Sequence, residues 1–129
     1  CQKYQGLNKY IFELQKDIIG DVEGQHAIIV DDIIDSGGTL CNAAQAIIDA
    51  GAISVRAYIT HGVLTGEACH KVEESVLEEL VITDSIDFHC PHDCEKTRAV
   101  SVSKLFGEAI RRVSNEESVS SLFNNNIKL

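Results

Sequence analysis

The run Val30-Asp31-Asp32-Ile33-Ile34-Asp35-Ser36-Gly37-Gly38-Thr39 gathers residue types that handle hydroxyls and an anion. Asp31 and Asp32 offer acceptors only, which suit vicinal hydroxyls or a hydrated Mg²⁺. Asp35, Ser36, Gly37, Gly38 and Thr39 follow directly. The hydroxyls of Ser36 and Thr39 can donate to phosphate oxygens. Gly37-Gly38 lets the backbone approach a ligand closely and take left-handed dihedrals. Successive N–H groups there form an anion-binding concavity, helped by the positive end of a following helix. Because a carboxylate pair does not bind phosphate, the set fits a ligand with hydroxyls at one end and phosphate at the other, a sugar phosphate. The Gly-x-Gly-x-x-Gly spacing of dinucleotide sites is absent, and no Gly-Lys-Ser/Thr follows as in a P-loop. Taken singly the features have plainer readings: a tight turn for the diglycine, solvated loop residues for the aspartates.

Such a loop needs a strand before it and a helix after it. Ala27-Ile28-Ile29-Val30 is wholly apolar, as in a strand buried on both faces of a parallel sheet, and it ends in Asp31-Asp32. Leu40, Ala43, Ala44, Ile47 and Ile48 recur at helical spacing, and Gly51 stands where a glycine closes a helix. Ile53, Val55, Ala57 and Ile59 then alternate with polar or amphipathic neighbours, a strand pattern. Residues 27–60 thus predict one βαβ unit with a right-handed crossover. Ligands bind open α/β sheets where such a strand ends and its helix begins.

Further along, Thr65 is expected to cap a helix from Gly66 to Ser75. Leu80-Val81-Ile82 and Ala99-Val100-Ser101-Val102 predict strands, with a loop from Asp84 to Lys96 holding the single proline, Pro91. Leu105, Phe106, Ala109, Ile110 and Val113 predict an amphipathic helix. The alternation implies an α/β layer fold. Residues 1–17 form an unmatched lead-in with weak helical spacing, and 124–129 a polar tail.

Composition narrows the function. The 129 residues make about one domain, able to bury roughly two-thirds of the surface of the unfolded chain. Eleven Lys and Arg against 20 Asp and Glu give a net charge of -9, which argues against nucleic acid or an anionic membrane as partner. No apolar run approaches the ~18 residues of a membrane-spanning helix. There is no methionine, and the sequence is expected to be a fragment or processed product. No secretory leader is visible at Cys1-Gln2-Lys3-Tyr4, and a lipidated Cys1 is the lesser alternative. Five irregularly spaced cysteines, at 1, 41, 69, 90 and 94, predict reduced thiols and a cytoplasmic location.

Other chemistry-bearing residues carry two readings each. His89, Cys90, His92 and Cys94 surround Pro91, with Cys69-His70 as a second pair. Zinc accepts these ligand types, but the spacing is not a standard knuckle, and an irregular exposed loop is the favoured reading. Cys41, one turn into the helix after the loop, has either a thiol activated by the helix start or a packing role, the latter favoured. His61 borders the site or is a neutral edge histidine. Arg111-Arg112, Glu73-Glu74 and Glu78-Glu79 read as solvated faces or subunit contacts.

Asp31 to Thr39 resembles the ribose 5-phosphate loop shared by type I phosphoribosyltransferases and ribose-phosphate pyrophosphokinases. The flanks favour the pyrophosphokinase C-terminal half. Ile19 to Gly24, Ala57 to Gly66, Val102 to Arg112 and Asn115 to Phe123 all resemble it, and the likeness runs from about residue 18 to 123. The resemblance implies a three-layer, parallel-sheet phosphoribosyltransferase-like (Rossmann-like) domain. It implies that Asp31 and Asp32 contact ribose hydroxyls, and that Asp35, Ser36, Gly37, Gly38 and Thr39 wrap the 5-phosphate. The family moves a diphosphoryl group from Mg-ATP to the anomeric hydroxyl of ribose 5-phosphate, giving phosphoribosyl pyrophosphate and AMP. Mg²⁺, with ATP as co-substrate, and a homo-oligomer or an assembly with full-length subunits are therefore expected.

The family's ATP and Mg²⁺ ligands lie in an N-terminal half, and a basic loop carrying a catalytic Lys and Arg belongs just before residue 18. Residues 1–17 hold Lys3, Lys9 and Lys16 but no Arg, and do not resemble that loop. The chain alone is expected to bind ribose 5-phosphate weakly and to catalyse nothing. A non-catalytic truncated or regulatory homologue is the alternative. So is a small phosphoribosyltransferase, although no base-binding hood or pyrophosphate loop is visible.

Overall fold

A computed structural model describes residues 20–88 and 94–123. Four strands alternate with helices: β1 (His26–Ile34), α1 (Gly38–Asp49), β2 (Ser54–Gly62), α2 (Ala68–Glu74), β3 (Leu77–Thr83), β4 (Thr97–Val100) and α3 (Ser103–Ser114), followed by a 3₁₀ turn at Ser120–Phe123. The strands lie in the order β1-β2-β3-β4, all parallel. The expected βαβ unit over residues 27–60 is present. Gly51, at φ 95°, follows α1 in the left-handed conformation and donates to the Ile48 carbonyl at 2.9 Å.

The core is one layer of strand residues against two helices. Ala27, Ile29, Val55, Ala57, Leu80 and Ile82 meet Leu40, Ala44 and Ile47 of α1 and Val72 of α2. Burying such side chains contributes about 1.5–3 kcal/mol each for the larger ones. Across the opposite face, Val30, Tyr58, Val81 and Arg98 stand in register, with Val30 and Tyr58 partly exposed. Of the three layers expected, the sheet and the α1/α2 layer are built by the described residues. The amphipathic α3 forms where predicted, but none of its residues is buried.

Several boundaries differ from expectation. β1 does not stop before Asp31-Asp32 but continues to Ile34, with Asp31 paired to Ile59 and Ile34 to Gly62. The carboxylates are accommodated because this end of the strand is open to solvent, where they need no buried partner. The helix expected from Gly66 begins at Ala68, and Thr65 does not cap it with its side chain. Leu64 and Gly66 have φ of 48° and 57°, incompatible with a right-handed helix, so the turn before α2 consumes these residues. β3 is longer than Leu80–Ile82, and β4 lies two residues earlier than predicted. No helix of the described residues is long and apolar enough to cross a membrane.

Candidate functional site

β1 and α1 meet at a crevice of about 320 Å³ at the C-terminal end of the strand. Its floor is apolar, from Ile29, Leu40, Ala43 and Ile59. Six of the seven residues singled out from sequence stand on its wall: Asp31, Asp32, Asp35, Ser36, Gly37 and Thr39. Gly38, the first residue of α1, lies instead on a neighbouring open concavity with Cys41 and Lys71.

The two glycines have different jobs. Gly37 sits at φ 75°, where a side chain is strained, and a Cβ there would touch the Ala68 carbonyl oxygen at 3.4 Å. Gly38 has ordinary helical geometry, and a Cβ on it would meet nothing within 4 Å. No side chain caps α1. The first N–H groups of the helix have no intrahelical acceptor and form a partly positive end.

The backbone entering α1 is tied down from behind. The Ile34 carbonyl accepts from Val63 N–H at 2.9 Å, and the Asp35 carbonyl from Thr65 N–H at 3.1 Å. Lys71 Nζ donates to the Ser36 carbonyl at 3.2 Å. The Gly37 carbonyl accepts from Cys41 N–H at 3.0 Å. Thr65 Oγ1 also donates to Asp35 Oδ1 at 2.5 Å. One oxygen of the Asp35 carboxylate is thus engaged within the protein.

Asp31 and Asp32 are adjacent and exposed, and Asp31 Oδ1 accepts from the Asp32 N–H at 2.8 Å. The pair fits a hydrated Mg²⁺, which is held through one or two carboxylates plus substrate phosphates and not by an all-protein cage. Among the described residues no three His, Cys, Asp or Glu side chains converge on a metal position. Among the described residues no lysine or arginine lines the crevice.

Other expectations resolve differently. His61 Nδ1 pairs with Ser85 Oγ at 2.8 Å and does not line the crevice, which favours the edge-histidine reading. Burial raises the Cys41 thiol above its ordinary range, against the activation considered from its helix-start position, and its Sγ faces the Lys71 carbonyl at 3.6 Å. Burial likewise raises Cys69. Cys41 and Cys69 are free thiols, as expected, whereas Cys94 is disulfide-bonded. His89, Cys90 and His92 lie outside the described residues. Arg111 and Arg112 form ion pairs with Glu108 and Glu117, within the α3 region.

Sequence reading missed Thr65 and Lys71 as parts of this site. They lie 30 and 35 residues from their partners Asp35 and Ser36, and no local pattern marks them.

The phosphoribosyl synthetase-associated domain family matches residues 13–124. The chain is 62% identical over 107 residues to a ribose-phosphate pyrophosphokinase of Caulobacter vibrioides, covering 82% of this chain and 34% of that protein. It is 57% identical over 107 residues to the enzyme of that name from Brucella melitensis, with the same coverage. Among solved structures it resembles the phosphoribosylpyrophosphate synthetase from Mycobacterium smegmatis, with a TM-score of 0.74 and 30% identity over 77% of this chain and 33% of that one. The chain spans about a third of the length of the curated relatives it matches.

Proposed function

The chain belongs to the phosphoribosyl synthetase-associated domain family of the ribose-phosphate pyrophosphokinases, and from that premise we propose that its β1–α1 crevice seats ribose 5-phosphate. The observation that carries this reading is the placement of Asp31 and Asp32 on the same crevice wall as the left-handed Gly37 turn into α1. Acceptors for hydroxyls thus share one small site with donors for an anion.

Asp31 and Asp32 take hydrogen bonds from the ribose hydroxyls. The main chain from Asp35 to Thr39, with the hydroxyls of Ser36 and Thr39, takes the 5-phosphate. The positive end of α1 adds attraction of about 0.3–1 kcal/mol. In the complete reaction the anomeric hydroxyl of the sugar attacks the β-phosphorus of ATP. The diphosphoryl group passes to the sugar, and AMP leaves. Asp31 and Asp32 would hold a hydrated Mg²⁺, which would supply neutralisation of charge on the phosphoryl oxygens. The role of this chain is to fix the acceptor sugar, a contribution of positioning.

Among the described residues no Lys or Arg lines the crevice, and the 129-residue chain by itself is proposed to bind the acceptor without transferring to it. Its products are made in assembly with other subunits or segments that supply the ATP donor.

Calorimetric titration of the chain with ribose 5-phosphate tests the reading. Saturable binding that drops at least tenfold for ribose, and again for the Asp31→Asn variant, is the expected result. Equal heats for ribose and ribose 5-phosphate, or no binding of either, would remove it. Production of AMP from ATP and ribose 5-phosphate by the isolated chain would overturn the non-catalytic part alone.

A further inference from the structure

We propose that Lys71, on α2, is a positioning residue of the sugar-phosphate site, acting through the Ser36–Gly37 peptide and not by touching the ligand. The inference rests on the ribose 5-phosphate reading of the crevice and names a part of that site which lies outside it.

Lys71 is absent from the crevice wall, yet its ammonium donates to the Ser36 carbonyl at 3.2 Å. A trans peptide is planar, so its C=O and the following N–H point in opposite directions. Holding the Ser36 oxygen toward α2 therefore turns the Gly37 N–H the other way, away from α2. Were this peptide to rotate, an oxygen would face the anion where a donor is needed. Glycine makes the rotation easy, because Gly37 at φ 75° has few barriers of its own. A loop chosen for flexibility thus requires an external hold, and the charged donor of Lys71 supplies it.

The neighbouring peptides show the same arrangement by other means. The Asp35 carbonyl is held by Thr65 N–H and the Gly37 carbonyl by Cys41 N–H. Ser36 is the member of this series whose carbonyl is held by a side chain. Lys71 is itself anchored, since its backbone N–H bonds the Glu67 carbonyl at 2.9 Å, and α2 packs through Val72 into the core. Other basic side chains are directed elsewhere: Arg56 to Glu78, Arg98 to Glu79, Lys96 to the Ser75 carbonyl, and Arg111 and Arg112 to Glu108.

The test uses the whole 129-residue chain with Lys71→Met and Lys71→Arg. Ribose 5-phosphate affinity is expected to fall about tenfold in Lys71→Met, as for loss of a hydrogen bond from a charged group, and to stay within threefold in Lys71→Arg. The ¹⁵N–¹H signal of Gly37 in ligand-free protein is expected to shift, and its hydrogen exchange to quicken, in Lys71→Met only. An unchanged Gly37 signal in Lys71→Met overturns the proposal, whatever the ligand does. Wild-type protein that binds no ribose 5-phosphate defeats the functional reading, while the Gly37 signal still decides whether Lys71 holds the peptide. Wild-type affinity in a Lys71→Met protein that unfolds at the normal temperature overturns the proposal and leaves the functional reading intact.

Discussion

Thr65 Oγ1 donates to Asp35 Oδ1 at 2.5 Å, and the Thr65 N–H donates to the Asp35 carbonyl at 3.1 Å. One residue of the β2–α2 connection thus holds both the side chain and the main chain at the start of the anion loop. On the proposed reading of the crevice, it also engages one oxygen of a carboxylate that would otherwise repel the phosphate. Replacing Thr65 by Val keeps the shape and removes the hydroxyl. Stability in urea is expected to fall by about 0.5–1.5 kcal/mol, and ribose 5-phosphate affinity to fall as Asp35 is released. Thr65→Ser restores both. Equal affinity in the Val and Ser variants would show that the Asp35 carboxylate has no part in shaping the site.

The two adjacent glycines predict opposite outcomes. Gly37→Ala forces a side chain into the left-handed region against the Ala68 backbone, at a cost of about 1–2 kcal/mol. Gly38→Ala meets open space in a helical conformation and is expected to change stability by a gain of about 0–1 kcal/mol. Equilibrium urea melts separate the pair. Similar destabilisation by both would mean that the diglycine, and not the one left-handed residue, sets the loop.

Around the end of α3, Glu108 accepts from Arg111 and Arg112, and Glu117 pairs with Arg111. These hydrogen bonds lower the Glu108 carboxyl from 4.5 to about 2, the Arg111 contact foremost, and lower Glu117 in the same direction. A depressed carboxylate favours the folded arrangement above its unfolded value and loses that contribution as the pH falls through its folded value. Carboxyl-detected NMR is therefore expected to show Glu108 titrating near pH 2, and the α3 end loosening between about pH 4.5 and 2. All these groups are solvent-exposed, so added salt is expected to weaken the effect. A Glu108 titration centred at 4.5 at low salt would contradict the ion-pair geometry.

None of the α3 residues is buried, although Phe106, Ile110 and Val113 are apolar and 55%, 67% and 68% exposed. Ile110→Asp is consequently expected to shift the stability of the isolated chain by no more than about 0.5 kcal/mol. The same change at Leu80 on β3, which is fully buried, is expected to prevent folding. Strong destabilisation by Ile110→Asp would place α3 against apolar surface within the chain.

Much of the site follows from local order along the chain. Ala27 to Val30, the helical spacing from Leu40 to Ile48 and the alternation from Ile53 to Ile59 specify strand, helix and strand, because each burial pattern matches one backbone period. Gly37-Gly38 falls between them, so the position of the bend, and the acids and hydroxyls beside it, are legible in the sequence itself. The pattern at Leu105 to Val113 correctly implied a helix. It carried no information on whether that apolar stripe would be covered, since periodicity describes a face and not its neighbour.

Contacts between distant segments required the fold. Charge on Asp31 and Asp32 suggested that β1 had ended, but pairing with β2 carries the strand through them to Ile34. Thr65 looked like a helix cap until the left-handed turn at Leu64 and Gly66 moved the helix start and freed its hydroxyl for Asp35. Lys71 reaches Ser36 only because β2 lies beside β1 and brings α2 behind the loop. Side-chain chemistry and short-range spacing specify which groups exist and on which element they sit. The direction of each carbonyl and N–H at the crevice depends on hydrogen bonds across some 30 residues of sequence, and these form only when the parallel strands are in register.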